Sequence, residues 1–82
     1  MPTLLEVGPY KFFIVMKDCE EQRHVHVKGG GRGEAKFWLE PAVELAASQG
    51  YTAREIGRIE RLVREHVATL IERWNEECAK AK

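Results

Sequence analysis

The sequence predicts an α+β domain: an antiparallel sheet of four strands, with a fifth left open, and one long C-terminal helix packed on one face of that sheet. Two observations predict this fold class. The chain has 82 residues, which is enough for one domain with a single modest core. Residues 1–50 show the alternation typical of strands, whereas residues 51–79 show the periodicity of a helix. We therefore expect one domain, β-rich in its first half and helical in its second.

The first half contains four short β-prone runs separated by turn signals. Gly8-Pro9 separates the first two runs, which predicts a hairpin, and the glycine-rich loop 29–33 separates the other two. The candidate strands are Thr3 to Val7, Tyr10 to Met16, Arg23 to Lys28 and Ala35 to Glu40. Pro41 ends the last strand, and residues 42–47 fit either a fifth short strand or a helical turn.

In the second half, apolar residues recur every three or four positions, as one face of an α-helix requires. They are Ile56, Ile59, Val63, Val67, Leu70 and Trp74. Thr52 and Glu55 have the spacing of a capping box, so we expect the helix to begin there. A helix that continued to about Cys78 would be roughly 40 Å long, whereas a seven-residue strand spans about 23 Å. The helix end should overhang the sheet, which predicts frayed last turns or a dimer whose interface includes Trp74 or Trp38.

Alternation along the strands assigns each side chain to one face of the sheet. The apolar set should lie under the helix and forms what we call the covered face: Tyr10, Phe12, Ile14, Met16, Val25, Val27, Ala35, Phe37 and Leu39. The opposite set forms the open face: Lys11, Phe13, Val15, His24, His26, Lys28, Lys36, Trp38 and Glu40.

The open face is an unusual mixture for a surface that meets only water. Its aromatic rings and lysines could stack unpaired bases and contact phosphates, as in proteins that bind single-stranded RNA. The alternative is a face that associates with another protein molecule or is covered by residues 42–50. The candidate binding residues are Phe13, Lys28, Arg32, Lys36, Trp38, Glu40 and Trp74.

His24 and His26 stand side by side on one face of a predicted strand, shortly after the carboxylates of Asp18, Glu20 and Glu21. A transition-metal site needs three or four converging ligands, so these carboxylates would have to fold back to complete one. Because only the two histidines are locally paired, we expect no metal and no other cofactor. The two imidazoles are also candidate catalytic residues, as general acid and base in metal-independent RNA cleavage. The alternative to both hypotheses is a surface strand with ordinary polar side chains.

Charge and cysteine spacing limit the function classes further. The 13 Lys and Arg residues balance the 13 Asp and Glu residues, so no bulk positive field favours non-specific binding to nucleic acid or anionic membranes. Cys19 and Cys78 are too far apart for a CxxC motif, and we expect both to be free thiols. The sequence shows neither an export signal nor an apolar run of about 18 residues, so we expect a cytoplasmic protein without a membrane partner.

Several motifs in a fixed order span nearly the whole chain. They are Met1-Pro2-Thr3, Tyr10-Lys11-Phe12-Phe13, an acidic loop with Asp18 and Glu21, His24-Val25-His26-Val27, Ala35-Lys36-Phe37-Trp38-Leu39-Glu40-Pro41, Glu65-His66 and Trp74-Asn75. In this combination the chain resembles the small bacterial family known as domain of unknown function 4160. Many members of that family have two prolines before the first histidine, where this chain has Gln22 and Arg23.

The resemblance implies a cytoplasmic bacterial or archaeal protein that is often encoded beside another small protein, in a pairing that looks like a toxin–antitoxin module. It implies no established activity. Our leading hypothesis is a protein-binding module that associates with a small cognate protein, with itself, or with both. The alternative is a metal-independent ribonuclease or a protein that binds single-stranded RNA through the strand containing His24 and His26. Whether the protein is an enzyme is left open by the sequence.

Overall fold

The computed structural model describes residues 2–80, except for the side chain of Met16, so the predicted place of that side chain on the covered face lies outside the described part. Five strands and two helices follow one another along the chain. They are β1 (Thr3–Val7), β2 (Tyr10–Phe13), β3 (His24–Gly29), β4 (Glu34–Trp38), β5 (Glu44–Gln49), α1 (Ala53–Glu65) and α2 (Val67–Lys80). A short 3-10 helix, Met16–Glu20, lies between β2 and β3.

The five strands form one antiparallel sheet in the order β1-β2-β3-β4-β5. The predicted α+β class is confirmed, and the segment that the sequence left open is resolved as a strand, Glu44–Gln49. The second strand is shorter than predicted and ends at Phe13. One further backbone hydrogen bond follows, from Ile14 N–H to Pro2 O at 3.1 Å, before the chain turns into the 3-10 helix.

The predicted composition of the covered face is confirmed by burial, whereas Phe13 and His24 of the predicted open face are buried as well. All described members of the covered face are at most 5% exposed and belong to one apolar cluster: Tyr10, Phe12, Ile14, Val25, Val27, Ala35, Phe37 and Leu39. The helices contribute Ile59, Val63, Leu70 and Trp74 to the same cluster. Removing this apolar surface from water provides most of the driving force for packing helix on sheet.

The prediction of one long helix is wrong, because the helical segment breaks at His66. The backbone of His66 has φ −112° and ψ 15°, so it ends α1, and α2 begins at Val67. A straight helix would have run past the strands; with the break, α1 contacts β4 and β5 while α2 contacts β1. The apolar faces of both helices therefore stay on the sheet, and the predicted overhang does not form.

The helix begins where the sequence predicts. Thr52 is the residue before α1, and its Oγ1 accepts a hydrogen bond from Glu55 N–H at 3.1 Å. Glu55 Oε1 accepts in turn from Thr52 N–H at 3.1 Å. This capping box satisfies two backbone groups that would otherwise lack a partner at this end of the helix.

The expectation of free thiols is wrong, because Cys19 and Cys78 form a disulfide with a Cα–Cα distance of 5.6 Å. The residues are 59 positions apart in sequence, so no local motif reveals the pair. They meet because the last turns of α2 pack beside the 3-10 helix that contains Cys19. The disulfide thus joins the segment that precedes β3 to the last turns of the chain.

Within residues 2–80, no helix combines the length and the apolar character that crossing a bilayer demands.

Candidate functional site

Asp18 is the residue that turns two neighbouring histidines into a three-residue cluster. It lies in the 3-10 helix and is only 4% exposed. Its Oδ2 accepts a hydrogen bond from Val15 N–H at 2.9 Å, which fixes the carboxylate towards β3 rather than towards solvent. The loop that carries Asp18 therefore folds back onto β3, as a third ligand requires.

Both histidines of β3 approach the same carboxylate oxygen. Asp18 Oδ2 lies 3.0 Å from His26 Nε2 and 3.2 Å from His24 Nε2. One potential ligand atom from each of the three residues lies within 4.8 Å of the others. We call this group the Asp18–His24–His26 cluster. The premise that only two ligands converge is wrong, and with it the reason for expecting no metal.

The surroundings of Asp18 favour its ionised form. Burial by itself would raise the pKa of this carboxyl group, but the hydrogen bond from Val15 and the neighbouring imidazoles outweigh it. The pKa of Asp18 is therefore held below its ordinary value, and the cluster contains a negative charge at neutral pH.

His24 is fully buried, with no exposed surface. Its ring meets Trp38 and Trp74 edge-on, with ring centroids 5.6 Å and 5.3 Å away. Its Nδ1 lies 2.8 Å from Gln22 O. A general acid or base must reach the proton that it transfers, and an RNA phosphodiester cannot reach this ring. The burial of His24 therefore gives no support to the hypothesis of a His24–His26 catalytic pair, which stays a prediction.

His26, by contrast, is the accessible member of the cluster. Its side chain is 29% exposed, and its ring stacks on Phe13 with centroids 5.5 Å apart. Together with Asp18 it lines a groove of about 590 Å³ on the open face. The cluster is thus closed on the His24 side and open to solvent on the His26 side.

The groove follows a row of cross-strand neighbours on the open face. Phe13 lies opposite His26, His26 opposite Lys36, and Lys36 opposite Ala47, so the row crosses β2, β3, β4 and β5. Lys28 lies 5.2 Å above the Phe13 ring, and Lys36 lies 4.6 Å above the Trp38 ring. These ammonium groups occupy the ring faces that a base would need, so the structure does not favour a stacking platform for single-stranded RNA.

The remaining predicted binding residues do not form one site. Arg32 lies on the exposed glycine loop beside a second cavity of about 550 Å³, which shares Lys28, Glu34 and Gln49 with the groove. Glu40 Oε2 accepts a hydrogen bond from Arg23 Nη1 at 3.1 Å. Trp74 is only 4% exposed and contributes to the core, so of the two tryptophans predicted for a dimer interface only Trp38 stays a candidate.

Strand β5 forms an exposed edge of the sheet. All six of its residues are exposed, and it pairs only with β4 among the described strands. Its sequence, Glu44-Leu45-Ala46-Ala47-Ser48-Gln49, contains one charge, and Leu45 is 40% exposed. The alternative in which residues 42–50 cover the open face is wrong, because residues 44–49 extend the sheet instead.

Sequence reasoning missed the residues that hold the segment before β3. Arg23 Nε and Nη2 donate to Asn75 Oδ1 at 2.9 Å and 2.8 Å, and Gln22 Nε2 donates to Glu40 O. Asp18 was recognised as a possible ligand, but no period or spacing in the sequence shows that its loop returns to β3.

The geometry defines a small α+β protein with a buried carboxylate–histidine cluster and a free sheet edge. The family described as a domain of unknown function (DUF4160) matches residues 10–75, more than half of the chain. The chain belongs to this family, as its motifs indicated. No curated protein and no solved structure matches the chain. The family description assigns no activity, so a functional proposal has to rest on the geometry.

Proposed function

We propose that the protein is a protein-binding module, and that its partner is a small cognate protein in a toxin–antitoxin-like pair. One observation carries the proposal: β5 is a fully exposed edge strand of six residues. An edge strand presents a row of backbone N–H and C=O groups to any extended chain that can pair with them. The partner would add a strand to the sheet beside β5.

The composition of β5 supports this mode of binding. Soluble proteins protect exposed edges with lysines, prolines or bulges. The outer strand here has neither lysine nor proline, and its three consecutive apolar residues, Leu45, Ala46 and Ala47, have short or flexible side chains that allow close approach. The bulge opposite Lys36 and Phe37 lies in the pairing with β4 and leaves Ala47–Gln49 in register.

The groove gives the bound strand a second contact. Ala47, Ser48 and Gln49 of β5 line it together with Phe13, His26 and Lys36. A partner segment that pairs with β5 can therefore place alternate side chains over the end of the groove. Backbone pairing provides affinity in this mode, whereas the groove selects the side chains.

The test uses a matched pair of substitutions. The cognate protein is first identified by pull-down from the native host and mass spectrometry, and the binary complex is then measured with purified components. Ala46→Lys places a charge on the β5 edge, and Ala68→Lys places the same charge on an exposed position of α2. We expect Ala46→Lys to weaken the complex at least about tenfold, as an unfavourable edge charge should, and Ala68→Lys to leave it unchanged.

Hydrogen exchange provides an independent measurement. Binding should protect amides of β5, because those that point away from β4 gain acceptors only in the complex. Equal affinity of both lysine variants, or protection confined to other strands, would contradict the proposal. If the wild type forms a homodimer and Ala46→Lys alone does not, the β5 edge binds a second copy of this chain. That result would contradict the proposal of a different cognate protein as the partner.

A further variant separates binding from chemistry. His26→Ala removes a residue that lines the groove and leaves β5 intact, so the complex should lose clearly less affinity than it does in Ala46→Lys. A loss as large as that of Ala46→Lys would place the partner on the Asp18–His24–His26 cluster instead of the edge.

A further inference from the structure

The buried side of the Asp18–His24–His26 cluster contains a conflict between two hydrogen-bond acceptors. Gln22 O can only accept, so the 2.8 Å contact requires a proton on His24 Nδ1. A neutral His24 then has a lone pair on Nε2, and this atom faces the Asp18 carboxylate at 3.2 Å. Two lone pairs at this distance repel each other unless a cation lies between them.

His24 Nε2 is also the one fully buried side-chain polar atom, among the described residues, that has no hydrogen-bond partner. A proton on Nε2 would remove this repulsion only if Nε2–H donated a hydrogen bond to Asp18 Oδ2. The contact is short enough, but its direction does not make a hydrogen bond. Asp18 Oδ2 already accepts a hydrogen bond from Val15 N–H and forms a second hydrogen bond with His26 Nε2 at 3.0 Å.

A metal ion between the two acceptors resolves this conflict. Bonds of about 2.0–2.1 Å in a tetrahedral site place neighbouring ligand atoms roughly 3.3 Å apart. The observed separations from Asp18 Oδ2, 3.0 Å and 3.2 Å, are close to that value. The contact of His24 Nδ1 with a backbone carbonyl is also the usual way in which a ligating histidine is oriented.

We propose that Asp18, His24 and His26 bind one divalent first-row transition-metal ion, of which Zn²⁺ is the physiological candidate. One carboxylate and two neutral imidazoles form a ligand set of charge −1, which suits a divalent ion of borderline softness. Cys19 follows Asp18 directly but is held in the disulfide, so it does not supply a thiolate.

The fourth coordination position faces the groove. His26 is the exposed ligand, and the groove that it lines with Asp18 has a volume of about 590 Å³. Water or a donor from a bound molecule can occupy this position, as in metal sites with three protein ligands. Because His24 is fully buried, ligands can reach the fourth position only through the groove.

The experiment uses the oxidised, full-length chain, purified without a histidine tag and treated with EDTA. Zn²⁺ binding is measured by isothermal titration, and Co²⁺ serves as the spectroscopic probe because tetrahedral Co²⁺ absorbs visible light. We expect one equivalent per chain, visible bands of tetrahedral Co²⁺, and a rise in Tm with Zn²⁺ concentration. The absence of stoichiometric binding to the folded wild-type chain would overturn the proposal.

Matched variants assign the ligands. His26→Gln changes the half-exposed ligand and should leave the fold intact, which far-UV circular dichroism checks. His66→Gln changes a half-buried histidine outside the cluster. We expect His26→Gln to weaken Zn²⁺ binding by at least about tenfold, since even outer-shell changes have effects of that size, and His66→Gln to bind as the wild type does. Equal binding by the two variants would overturn the assignment.

Imidazole NMR signals distinguish coordination from non-specific association. The signals of His24 and His26 should both move on addition of one equivalent of Zn²⁺, while that of His66 stays in place. Movement of His66 alone, or of all three together in proportion to excess metal, would mean surface binding and contradict the proposal.

Discussion

The two faces of the sheet use the same alternating strands in different ways. On the covered face, Val25 and Val27 of β3 are fully buried under the helices in an entirely apolar environment. On the open face, their neighbours His24 and His26 share a carboxylate that comes from outside the sheet. The covered face needs only the packing of strands and helices, whereas the cluster on the open face also needs Asp18 from the 3-10 helix.

This difference shows where stability and chemistry are located. Apolar side chains stabilise in proportion to the area that they remove from water, so any close-packed neighbour suffices. A carboxylate and two imidazoles act together only at hydrogen-bond distances. The open face is therefore more sensitive to the position of one segment, the 3-10 helix, than the covered face is to any single contact.

The largest effect should come from truncating the covered face. Phe37→Ala removes a fully buried ring at the centre of the apolar cluster and should lower the free energy of unfolding by about 3–5 kcal/mol. Its neighbour Trp38 points to the open face and is only half-buried. We expect Trp38→Ala to lower that free energy by less than half as much, measured by urea denaturation of both variants. Equal losses would mean that the open face is packed like a second core.

The next effect concerns the disulfide, which connects the two sides of the molecule. Cys19 lies in the segment that completes the open face, and Cys78 belongs to the apolar cluster of the covered face. Bridges that close long loops typically stabilise by about 2–4 kcal/mol. We expect dithiothreitol to lower the free energy of unfolding by that amount in the wild type and to have no effect on Cys78→Ser. An unchanged wild-type midpoint in urea would contradict this expectation.

The covered face and the open face also differ in how far local sequence patterns predict them. The alternation around Val25 and Val27 and the capping box at Thr52 depend on neighbours within four residues, and both were predicted correctly. The position of Asp18 depends on a turn with no characteristic period, and the Cys19–Cys78 pair joins residues 59 positions apart. Long-range geometry of this kind is fixed by packing of the whole chain, which no short window of sequence contains.

Tyr51 makes a polar contact at the border of the covered face. Its hydroxyl donates to Gly29 O at 2.8 Å and joins the start of the helical half to the glycine loop. Removing the hydroxyl in Tyr51→Phe should lower the free energy of unfolding by about 0.5–1.5 kcal/mol at neutral pH. Thermal or urea unfolding of the two proteins measures this difference.

The pH dependence of this contact has a definite sign. Burial raises the pKa of Tyr51, and the nearby Tyr10, Glu55 and Glu34 raise it further. The folded state therefore retains the phenolic proton to higher pH than the unfolded state does. The contribution of Tyr51 is fully present below the unfolded pKa of about 10 and is lost as the pH rises through the folded value. The difference in free energy of unfolding between the wild type and Tyr51→Phe should therefore shrink above pH ~10. A difference that stays constant would contradict the pKa shift.

The smallest effect should come from the cations of the open face. Lys36 Nζ lies 4.6 Å from the centre of the Trp38 ring and 3.7 Å from Glu21 Oε1. Both interactions are partly solvated, so Lys36→Gln should lower the free energy of unfolding by at most about 1 kcal/mol.

Measurements at different salt concentrations separate the ion pair of Lys36 with Glu21 from its contact with the Trp38 ring. The ion pair with Glu21 is screened at high ionic strength, so the effect of Lys36→Gln should decrease in 1 M salt. Lys11→Gln is the control, because Lys11 has an exposed carboxylate neighbour, Glu6, at 3.9 Å and should show a smaller effect. A loss for Lys36→Gln as large as that for Phe37→Ala would mean that the open face contributes to stability like the covered one. Its residues would then be explained by packing, without a need for the binding roles proposed for them.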